Sequence, residues 1–461
     1  MTGSSRSSLF GALFARGAAD ASDAAWLQAM LDTEAALARA VERAGLAPPG
    51  SGVAVTAVAN ADFFDNGALG EAAAATGNPI AALVKALTER LPESAAGAAA
   101  AVHKGATSQD IIDTAAMLIA SRALDAILAD LSAAAETCAA HVTEHARTIM
   151  SGRTLLQQAV PVTFGLVAAG WLTAIDEARQ NLHQVRTARL AIQFGGAAGT
   201  LASLGDAGPQ VAALLGDELG LPVPALPWHT NRLRIIDLAA ALAGACAVLG
   251  KIARDVTLLT QTEVAEVREA AEPGRGASSA MPHKQNPAAA ITVLACTKQA
   301  PGLLATLTSA AEQEHQRAAG AWHSEWLPLS QLLTLTNSAS SWSVELLRGL
   351  QADPVRMRTN LDEARELPMA EHITTLLAPV LGRLQAHNLI ARASTRATAG
   401  NISLTDAICA DETSAAKLAD AGVTRADIES AVRPESYLGA TAEFIRRALS
   451  AHAACNAELT P

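Results

Sequence analysis

The sequence predicts an all-α fold built around long helices, and two observations support this prediction. Of the 461 residues 50% are apolar, yet only 3% are aromatic, and alanine supplies much of the apolar content. Alanine has the highest helix propensity, whereas strands favour aromatic and β-branched side chains. Apolar residues also recur at helical spacing over two long segments. Because the chain is too long for one compact core, we expect two or three domains. The sequence patterns place the boundaries of three.

The first predicted domain spans residues 1–112 and alternates short helical patterns with breakers such as Pro48-Pro49-Gly50. The second, residues 113–362, is predicted to be a central bundle of long helices. It opens with an apolar stripe that repeats every seven residues, at Met117, Leu124, Leu131 and Cys138. This spacing predicts a helix from Asp113 to about Ile149.

A second apolar stripe runs from Ile235 to Leu259. It predicts a helix from Arg232 to Ala271, roughly 60 Å long at about 1.5 Å per residue. The uncharged run from Thr154 to Ile175 has the length of a membrane span. Because it contains two Gln, a Pro and several Thr, we interpret it as a helix buried in the bundle.

The remaining signals concern helix ends and the last domain. Asn286-Pro287 is typical of an N-cap followed by proline at the first helical position. Shorter amphipathic pieces follow, and residues 363–461 are predicted to form a C-terminal helical domain. Apolar stripes as long as those of the bundle need partner helices, from the same chain and from other subunits.

Charge and cysteine content exclude several classes of partner. The net charge is −11 without any block of Lys or Arg, which disfavours nucleic acid and anionic membranes as partners. A small anionic substrate is not excluded, because a few local cations can outweigh a distant negative surface. The five cysteines are scattered, without CxxC or metal-ligand spacing, which indicates reduced and mostly buried thiols and no metal. The apolar run from Leu9 to Ala15 is minimal for a secretory or transit peptide, so we expect a cytoplasmic location.

The stretch Gly276-Ala-Ser-Ser-Ala-Met-Pro-His-Lys-Gln-Asn-Pro287 is the most informative motif. Considered alone, it is a loop with paired serines, a cation and an amide, and an ordinary interhelical loop explains it equally well. It resembles the loop Gly-Ser-Ser-x-Met-Pro-x-Lys-x-Asn-Pro of the fumarase/aspartase superfamily. The departure is Ala277, where glycine is usual in that family.

Two further stretches resemble segments of this superfamily in the right order. They are His103-Lys-Gly-Ala-Thr-Ser-Gln-Asp110 and Gly152-Arg-Thr-Leu-Leu-Gln-Gln-Ala-Val-Pro161. Three separated matches are far less probable by chance than one. The resemblance implies an all-α fumarase/aspartase fold and a homotetramer in which each active site is assembled from three chains. It implies no metal and no organic cofactor.

The resemblance also implies roles for individual residues. Ser278 would be the carbon acid/base, with Ser279 as the less favoured choice or as an oxyanion donor. The implied substrate contacts are Thr107, Ser108, Gln109, Arg153, Thr154, Met281, Lys284 and Asn286. Thr107, Ser108 and Asp110 are also good helix N-caps, and both roles can hold together. His103 and His283 are candidate anion ligands, for which a structural or exposed role is an equal alternative, and Arg317 is a weaker candidate.

Two departures from the family pattern narrow the expected reaction. Lyases of this superfamily that expel an amine or hydroxide commonly carry His where this chain has Leu155, and Glu where it has Ile291. An amine or hydroxide needs an acid in order to depart. A carboxylate, with a reference pKa near about 4, can attack or leave without one. The replacements therefore favour an enzyme that adds an internal carboxylate across a double bond.

Three other stretches are similar to the bacterial 3-carboxy-cis,cis-muconate cycloisomerases. They are residues 193–204, 227–232 and 318–326. Within them His229 and Arg232 are candidate contacts for an anion, although either could be an ordinary surface residue. The resemblance implies conversion of 3-carboxy-cis,cis-muconate, a small tricarboxylate, to 4-carboxymuconolactone. The alternatives are an adenylosuccinate lyase or another fumarate-releasing lyase, and a non-catalytic helical scaffold of the same fold.

Overall fold

The computed structural model describes residues 9–270, 276–277, 280–281 and 283–459, and these are mostly helical. The helices, in chain order, are α1 (Gly11–Phe14), α2 (Asp23–Arg43), α3 (Ser51–Val58), α4 (Asn66–Thr76), α5 (Ile80–Glu89), α6 (Ser108–Glu144), α7 (Phe164–Ala188), α8 (Gly208–Leu219), α9 (Leu233–Leu259), α10 (Ala288–Thr297), α11 (Ala300–Ser309), α12 (Trp326–Arg348), α13 (Pro354–Glu363), α14 (Ala370–Leu381), α15 (Arg383–Gly400), α16 (Leu404–Cys409), α17 (Glu412–Asp420), α18 (Arg425–Ala431) and α19 (Thr441–Leu459). The strands are β1 (Ile149–Thr154), β2 (Gln157–Thr163), β3 (Val267–Glu269) and β4 (Leu350–Ala352).

The chain divides into two compact units. The first unit comprises Met1–Ser132, Glu177–Lys251 and Ile291–Val344, and the second comprises Ala133–Asp176, Ile252–Ala290 and Glu345–Pro461. Both units are built from segments that are distant in sequence. The division into residues 1–112, 113–362 and 363–461 remains a prediction.

The helix predicted from the seven-residue repeat is α6, which spans 37 residues. The four side chains of its stripe, Met117, Leu124, Leu131 and Cys138, are fully buried. The helix begins five residues before the predicted start, because the Asp110 carboxylate accepts a hydrogen bond from the Thr107 amide (3.0 Å) and closes its first turn. The periodic part of the prediction is confirmed.

The second long helix, α9, ends at Leu259, which is the last residue of the apolar stripe. Its predicted extension to Ala271 is wrong. The chain leaves the helix through a turn with Ala265 at φ +52°, and it then forms β3, which pairs with β4. The four residues that follow Leu259, Thr260 to Glu263, are polar, so a further helical turn there would bury no apolar side chain.

The uncharged run from Thr154 to Ile175 is a helix only from Phe164 onward, so the prediction is wrong for its first ten residues. β1 and β2 form an antiparallel hairpin there, with Thr154 paired to Gln157 and a bulge opposite Gly152. Pro161 disfavours a helix interior, whereas valine and threonine fit a strand. The two turn residues, Leu155 and Leu156, both have positive φ, at 51° and 65°.

Residues 363–459 form shorter helices, as predicted, from 6 residues in α16 to 19 in α19. They surround a core of their own within the second unit, which includes Ile373, Leu377, Leu389 and Leu404. Four cysteines are buried and Cys409 is exposed, and all five are free thiols. Burial raises the pKa of Cys138 to about 12, as expected of an inert thiol.

Two described segments, Leu233–Leu259 and Ala288–Ser309, are long and apolar enough to cross a membrane by length and composition alone. In the first, 50% of the most apolar window is buried inside the protein. Burial of this kind is typical of a core helix, because a membrane span would present its apolar surface to lipid.

Candidate active site

Asp110 is the centre of a buried polar network in the first unit. Its carboxylate is 1% exposed and lies in the first turn of α6. It accepts five hydrogen bonds, from the amides of Thr107 (3.0 Å), Gly195 (3.0 Å) and Gly196 (2.8 Å) and from the side chains of Gln193 (3.1 Å) and His229 (2.8 Å). We call these residues the Asp110 network. A buried carboxylate requires such complete pairing, because an unpaired charge would be costly away from water.

The glycines of this network allow the chain to wrap closely around Asp110. A Cβ atom on Gly195 would lie 2.7 Å from Pro227. A Cβ on Gly196 would lie 2.9 Å from the Gly105 carbonyl oxygen, and its φ is +67°. The glycine-rich stretch is therefore a tight bend against the start of α6.

Arg232 is the centre of a second cluster in the same unit and is 2% exposed. Its guanidinium donates to Asp113 through Nη1 (2.7 Å) and Nη2 (2.9 Å), and to Glu325 through Nε (3.0 Å) and Nη2 (2.6 Å). A fifth, weaker bond reaches the His229 carbonyl oxygen at 3.4 Å. Its five donor directions are thus used within the protein, so Arg232 supports the site and has no donor left for a substrate anion.

Two tryptophans complete this cluster. The Arg232 guanidinium lies 4.7 Å from the centre of the Trp228 ring, and the Trp322 indole donates to Asp113 at 3.0 Å. Burial alone would lower the pKa of Arg232, but the Asp113 and Glu325 carboxylates outweigh this effect and raise it. Burial raises the pKa of Glu325, although its bonds to Arg232 oppose the change. We call Asp113, Arg232, Glu325, Trp228 and Trp322 the Arg232 cluster.

Gln109 joins the network to the cluster. It is 1% exposed, and its amide donates to Asp113 (3.1 Å) and to the His229 carbonyl oxygen (2.8 Å). Thr107 and Ser108 are only half-buried, and the Thr107 hydroxyl accepts a bond from Arg317 at 2.6 Å. The first unit therefore brings Thr107, Gln109 and His229 together, with the hydroxyl groups of Thr107 and Ser108 at the accessible edge.

His103 lies close to this group and has φ +55°, an uncommon value for a residue with a side chain. Its amide and its Nδ1 bond to the two carboxylate oxygens of Glu34, at 2.9 and 2.7 Å. Burial by itself would lower the pKa of His103, but the hydrogen bond and charge of Glu34 raise it above the ordinary 6.5. This shift favours the cationic form of the imidazole, the form that suits an anionic ligand.

In the second unit, Arg153 lies on β1 and forms a paired contact with Glu266. Its two terminal nitrogens donate to the two carboxylate oxygens at 2.8 and 2.6 Å. Glu266 is fully buried and also accepts a bond from Asn360 at 2.8 Å. The neighbouring Thr154 is exposed. Leu155, the position that carries histidine in many lyases, is 96% exposed at the hairpin tip.

The described part of the motif loop also belongs to the second unit. Asn286 bonds through its backbone amide (2.9 Å) and its side chain (3.1 Å) to the Gly276 carbonyl oxygen, which closes the base of the loop. Asn286 is not the predicted N-cap, because Glu269 accepts the bonds from the first amides of α10, Ala289 and Ala290. Met281, His283 and Lys284 are exposed. Ser278 and Ser279 lie outside the described residues.

Asp113, Glu325 and Trp322 belong to the Arg232 cluster but were not among the residues predicted from the sequence. Each has a partner more than ninety positions away, as in the pairing of Arg232 with Glu325 across 93 residues. The available signal was a lone carboxylate, Glu325, set between two tryptophans in an apolar segment. A buried carboxylate of this kind requires a cation, and Arg232 provides it.

Two family models together match most of the chain. Residues 19–302 match the model described as Lyase, and residues 366–448 match Adenylosuccinate lyase C-terminus. The chain belongs to this lyase family, the fumarase/aspartase superfamily of enzymes, whose helical fold it shares.

Among its relatives are 3-carboxy-cis,cis-muconate cycloisomerases. The protein of that name from Bradyrhizobium diazoefficiens is 47% identical and covers 93% of this chain and 94% of its own length. The crystal structure of the 3-carboxy-cis,cis-muconate lactonizing enzyme from Pseudomonas putida is 40% identical with a TM-score of 0.89, and the match covers 97% of this chain and 99% of that one. A nitrosuccinate lyase from Streptomyces davaonensis is 42% identical over 93% of this chain and 91% of its own length. The predicted resemblance to the cycloisomerases is confirmed.

Proposed function

We propose that this enzyme closes 3-carboxy-cis,cis-muconate to 4-carboxymuconolactone, a step in the degradation of protocatechuate through the β-ketoadipate pathway. The observation that carries the proposal is the hairpin tip. The Leu155 side chain, near Arg153 and Thr154, is 96% exposed. Lyases of the superfamily that expel an amine or hydroxide commonly carry a histidine, which can act as an acid, at this position. The cycloisomerase relatives at 47% and 42% identity support the same assignment.

In the proposed reaction a carboxylate oxygen of the substrate attacks an alkene carbon and forms the C–O bond of the five-membered ring. The π electrons of the alkene move to the neighbouring carbon and spread into its carboxylate as an enediolate-like (aci) species. Lys284 and Asn286, with Thr107 and Ser108, would stabilise that charge, which is usually the largest catalytic contribution. Ser278 would then give its proton to the carbanion and take up a proton from water before the next cycle.

This chemistry accounts for the missing acid. The group that departs in the reverse direction is a carboxylate, which is stable as an anion at neutral pH. Leu155 and Ile291, 96% and 50% exposed, can therefore occupy positions that need a proton donor and its orienting carboxylate in an amine-releasing lyase. The proposed contact set is completed by Gln109, Arg153, Thr154, Met281, His103 and His229. Arg232 supports His229 by a bond to its carbonyl oxygen.

We further propose a soluble, cytoplasmic homotetramer whose active sites are each shared by three subunits. The exposed Thr154, Leu155 and Lys284 are functional candidates at the surface of a single chain, and a partner subunit could enclose them. A structure of the assembled protein with the lactone bound tests this proposal. Residues 278–286 lying far from positions 107–110 and 153–154 of every subunit would refute it.

The decisive assay is the loss of the diene absorbance of 3-carboxy-cis,cis-muconate on adding the purified enzyme. We expect Ser278→Ala to abolish turnover while the oligomer stays folded, and Ser279→Ala, its matched control, to keep more activity. Activity like that of the wild type in Ser278→Ala would refute the assigned role. An unchanged diene spectrum with the wild-type enzyme would refute the proposed reaction.

A nitrosuccinate lyase is the second candidate, because a relative of that name is 42% identical. The nitro group of nitrosuccinate would depart as nitrite, an anion that, like a carboxylate, needs no proton in order to leave. Fumarate formation from nitrosuccinate, without any loss of the muconate diene, would favour this alternative. Fumarate formation from adenylosuccinate would indicate instead that another group replaces the acid missing at Leu155.

A further inference from the structure

The last turn of α6 carries three potential metal ligands that the proposed reaction does not use. His141, Glu144 and His145 are spaced i, i+3 and i+4, so that they share one face of the helix end. Each offers a ligand atom, and these atoms all lie within 4.8 Å of one another. Both histidines are buried, and Glu144 is exposed.

His141 is oriented as a ligand by a backbone carbonyl. Its Nε2 lies 3.0 Å from the Leu347 oxygen, and because a carbonyl can only accept, Nε2 carries the proton. The lone pair is then on Nδ1, which is buried and has no hydrogen-bond partner among the described residues. An unpaired buried acceptor costs free energy, whereas a histidine that donates to a carbonyl through its other nitrogen is the usual arrangement at a metal.

His145 is held in a similar way. Its Nδ1 lies 3.1 Å from the Thr148 hydroxyl, and the Phe164 ring contacts it edge-on at 5.2 Å. Its other nitrogen, Nε2, faces the Glu144 carboxylate at 3.9 Å. Burial lowers the pKa of His145, and the Glu144 carboxylate opposes this change.

We propose that His141, Glu144 and His145 bind one divalent transition-metal ion, with Zn²⁺ as the best match. Two imidazole nitrogens and one carboxylate oxygen form a ligand set that Zn²⁺ favours, and the exposed side at Glu144 leaves room for water as a fourth ligand. The role is structural and separate from ring closure, and the proposal does not depend on the proposed reaction.

The position of the site suggests what it stabilises. The His145 carbonyl accepts from the Gly165 amide (2.9 Å), and the Thr148 carbonyl accepts from the Phe164 amide (2.8 Å). These bonds join the two ends of the β1–β2 hairpin to the end of α6. A metal at His141, Glu144 and His145 would therefore fasten the base of the hairpin that carries Arg153 at its other end.

The test uses the tag-free, full-length protein with Cys409→Ser, which removes the exposed thiol as a competing ligand. After chelator treatment the protein is titrated with Zn²⁺ against a chromophoric chelator. We expect one Zn²⁺ per chain and a higher melting temperature with the ion. Glu144→Gln, at a side chain that is 71% exposed, should weaken binding about tenfold or more, and His145→Gln should weaken it further.

His387→Gln is the matched control, since this histidine is exposed in the same unit and should leave binding unchanged. Circular dichroism verifies that each variant is folded, and Glu144→Gln keeps the test decisive if a histidine variant is not. Two results would overturn the proposal. One is the absence of Zn²⁺ binding at micromolar free ion, and the other is binding that Glu144→Gln and His145→Gln both leave intact.

Discussion

The buried polar groups of the first unit and the hairpin tip of the second differ in which side chains they expose to solvent. Around Asp110 and Arg232 every charge has a partner, and the carboxylates and the guanidinium are almost inaccessible to solvent. At the tip, Leu155 and Leu156 are 96% and 75% exposed and both adopt positive φ. One region places polar groups in the interior, and the other places hydrocarbon at the surface.

This difference separates two roles among residues of the same motifs. In the Arg232 cluster the charged side chain bonds to other groups of the protein, so its loss is expected to lower stability more directly than activity. At the tip an apolar side chain is held in an unfavourable backbone conformation without any burial in the chain, which is typical of a functional constraint. Stability and activity measurements should therefore respond in opposite ways in the two regions.

The largest expected effect is in the first unit. Arg232→Met should lower the free energy of unfolding by about 3–5 kcal/mol, because it leaves the Asp113 and Glu325 carboxylates buried without their cation. Denaturant unfolding followed by circular dichroism measures the change. The control is Arg254→Ala, at an exposed arginine of α9, which should change stability by less than about 0.5 kcal/mol. Equal effects of the two substitutions would contradict the structural role of Arg232.

A smaller effect of opposite sign is expected at the hairpin tip. Replacing Leu155 with Asn and Leu156 with Gly should raise the free energy of unfolding by about 1–2 kcal/mol, because Asn-Gly suits a two-residue turn with positive φ. The diene assay should at the same time record a lower kcat/KM. Leu226→Asn removes a leucine that is 76% exposed outside this turn, and it should bring no gain. A loss of stability in the tip variant would contradict the comparison.

The smallest effect concerns His103 and its dependence on pH. Since Glu34 raises the pKa of His103 above 6.5 in the folded protein, the stabilisation is fully present below 6.5 and is lost as pH rises through the folded value. The stability difference between the wild type and Glu34→Gln should therefore shrink as the pH rises above 6.5. Unfolding curves at a series of pH values measure this difference. A stability difference that grows with pH would contradict a raised pKa of His103.

Periodicity predicted the parts of the fold that one helix face determines. The stripe of α6 could be recognised because Met117, Leu124, Leu131 and Cys138 report burial directly through their spacing. The hairpin at 149–163 could not, because its polar and small residues show neither a helical period nor a clear alternation. The end of α9 was missed for a related reason: a sequence does not show whether the polar residues after Leu259 continue a helix or turn back.

For the candidate site, motifs located the residues but not their orientation. Thr107, Gln109 and His229 do lie together in the first unit. Arg232 was expected to meet an anion from the substrate, yet its donors are used by Asp113 and Glu325, which lie 119 and 93 positions away. Pairing over such separations depends on tertiary packing, so a single sequence could suggest the anion but not that the protein itself supplies it.

The bulge beside Gly152 sets the strand register of the hairpin tip. Ser151 pairs with Pro161, but Arg153 pairs with Gln158, so Gly152 faces two residues of β2. In a regular ladder Arg153 would stand opposite Ala159, and a three-residue loop would replace the leucine turn. A Cβ atom at Gly152 would lie 2.7 Å from the Val160 carbonyl oxygen, so only glycine allows one residue of β1 to face two residues of β2 here. A residue without a side chain thus decides which groups the tip displays.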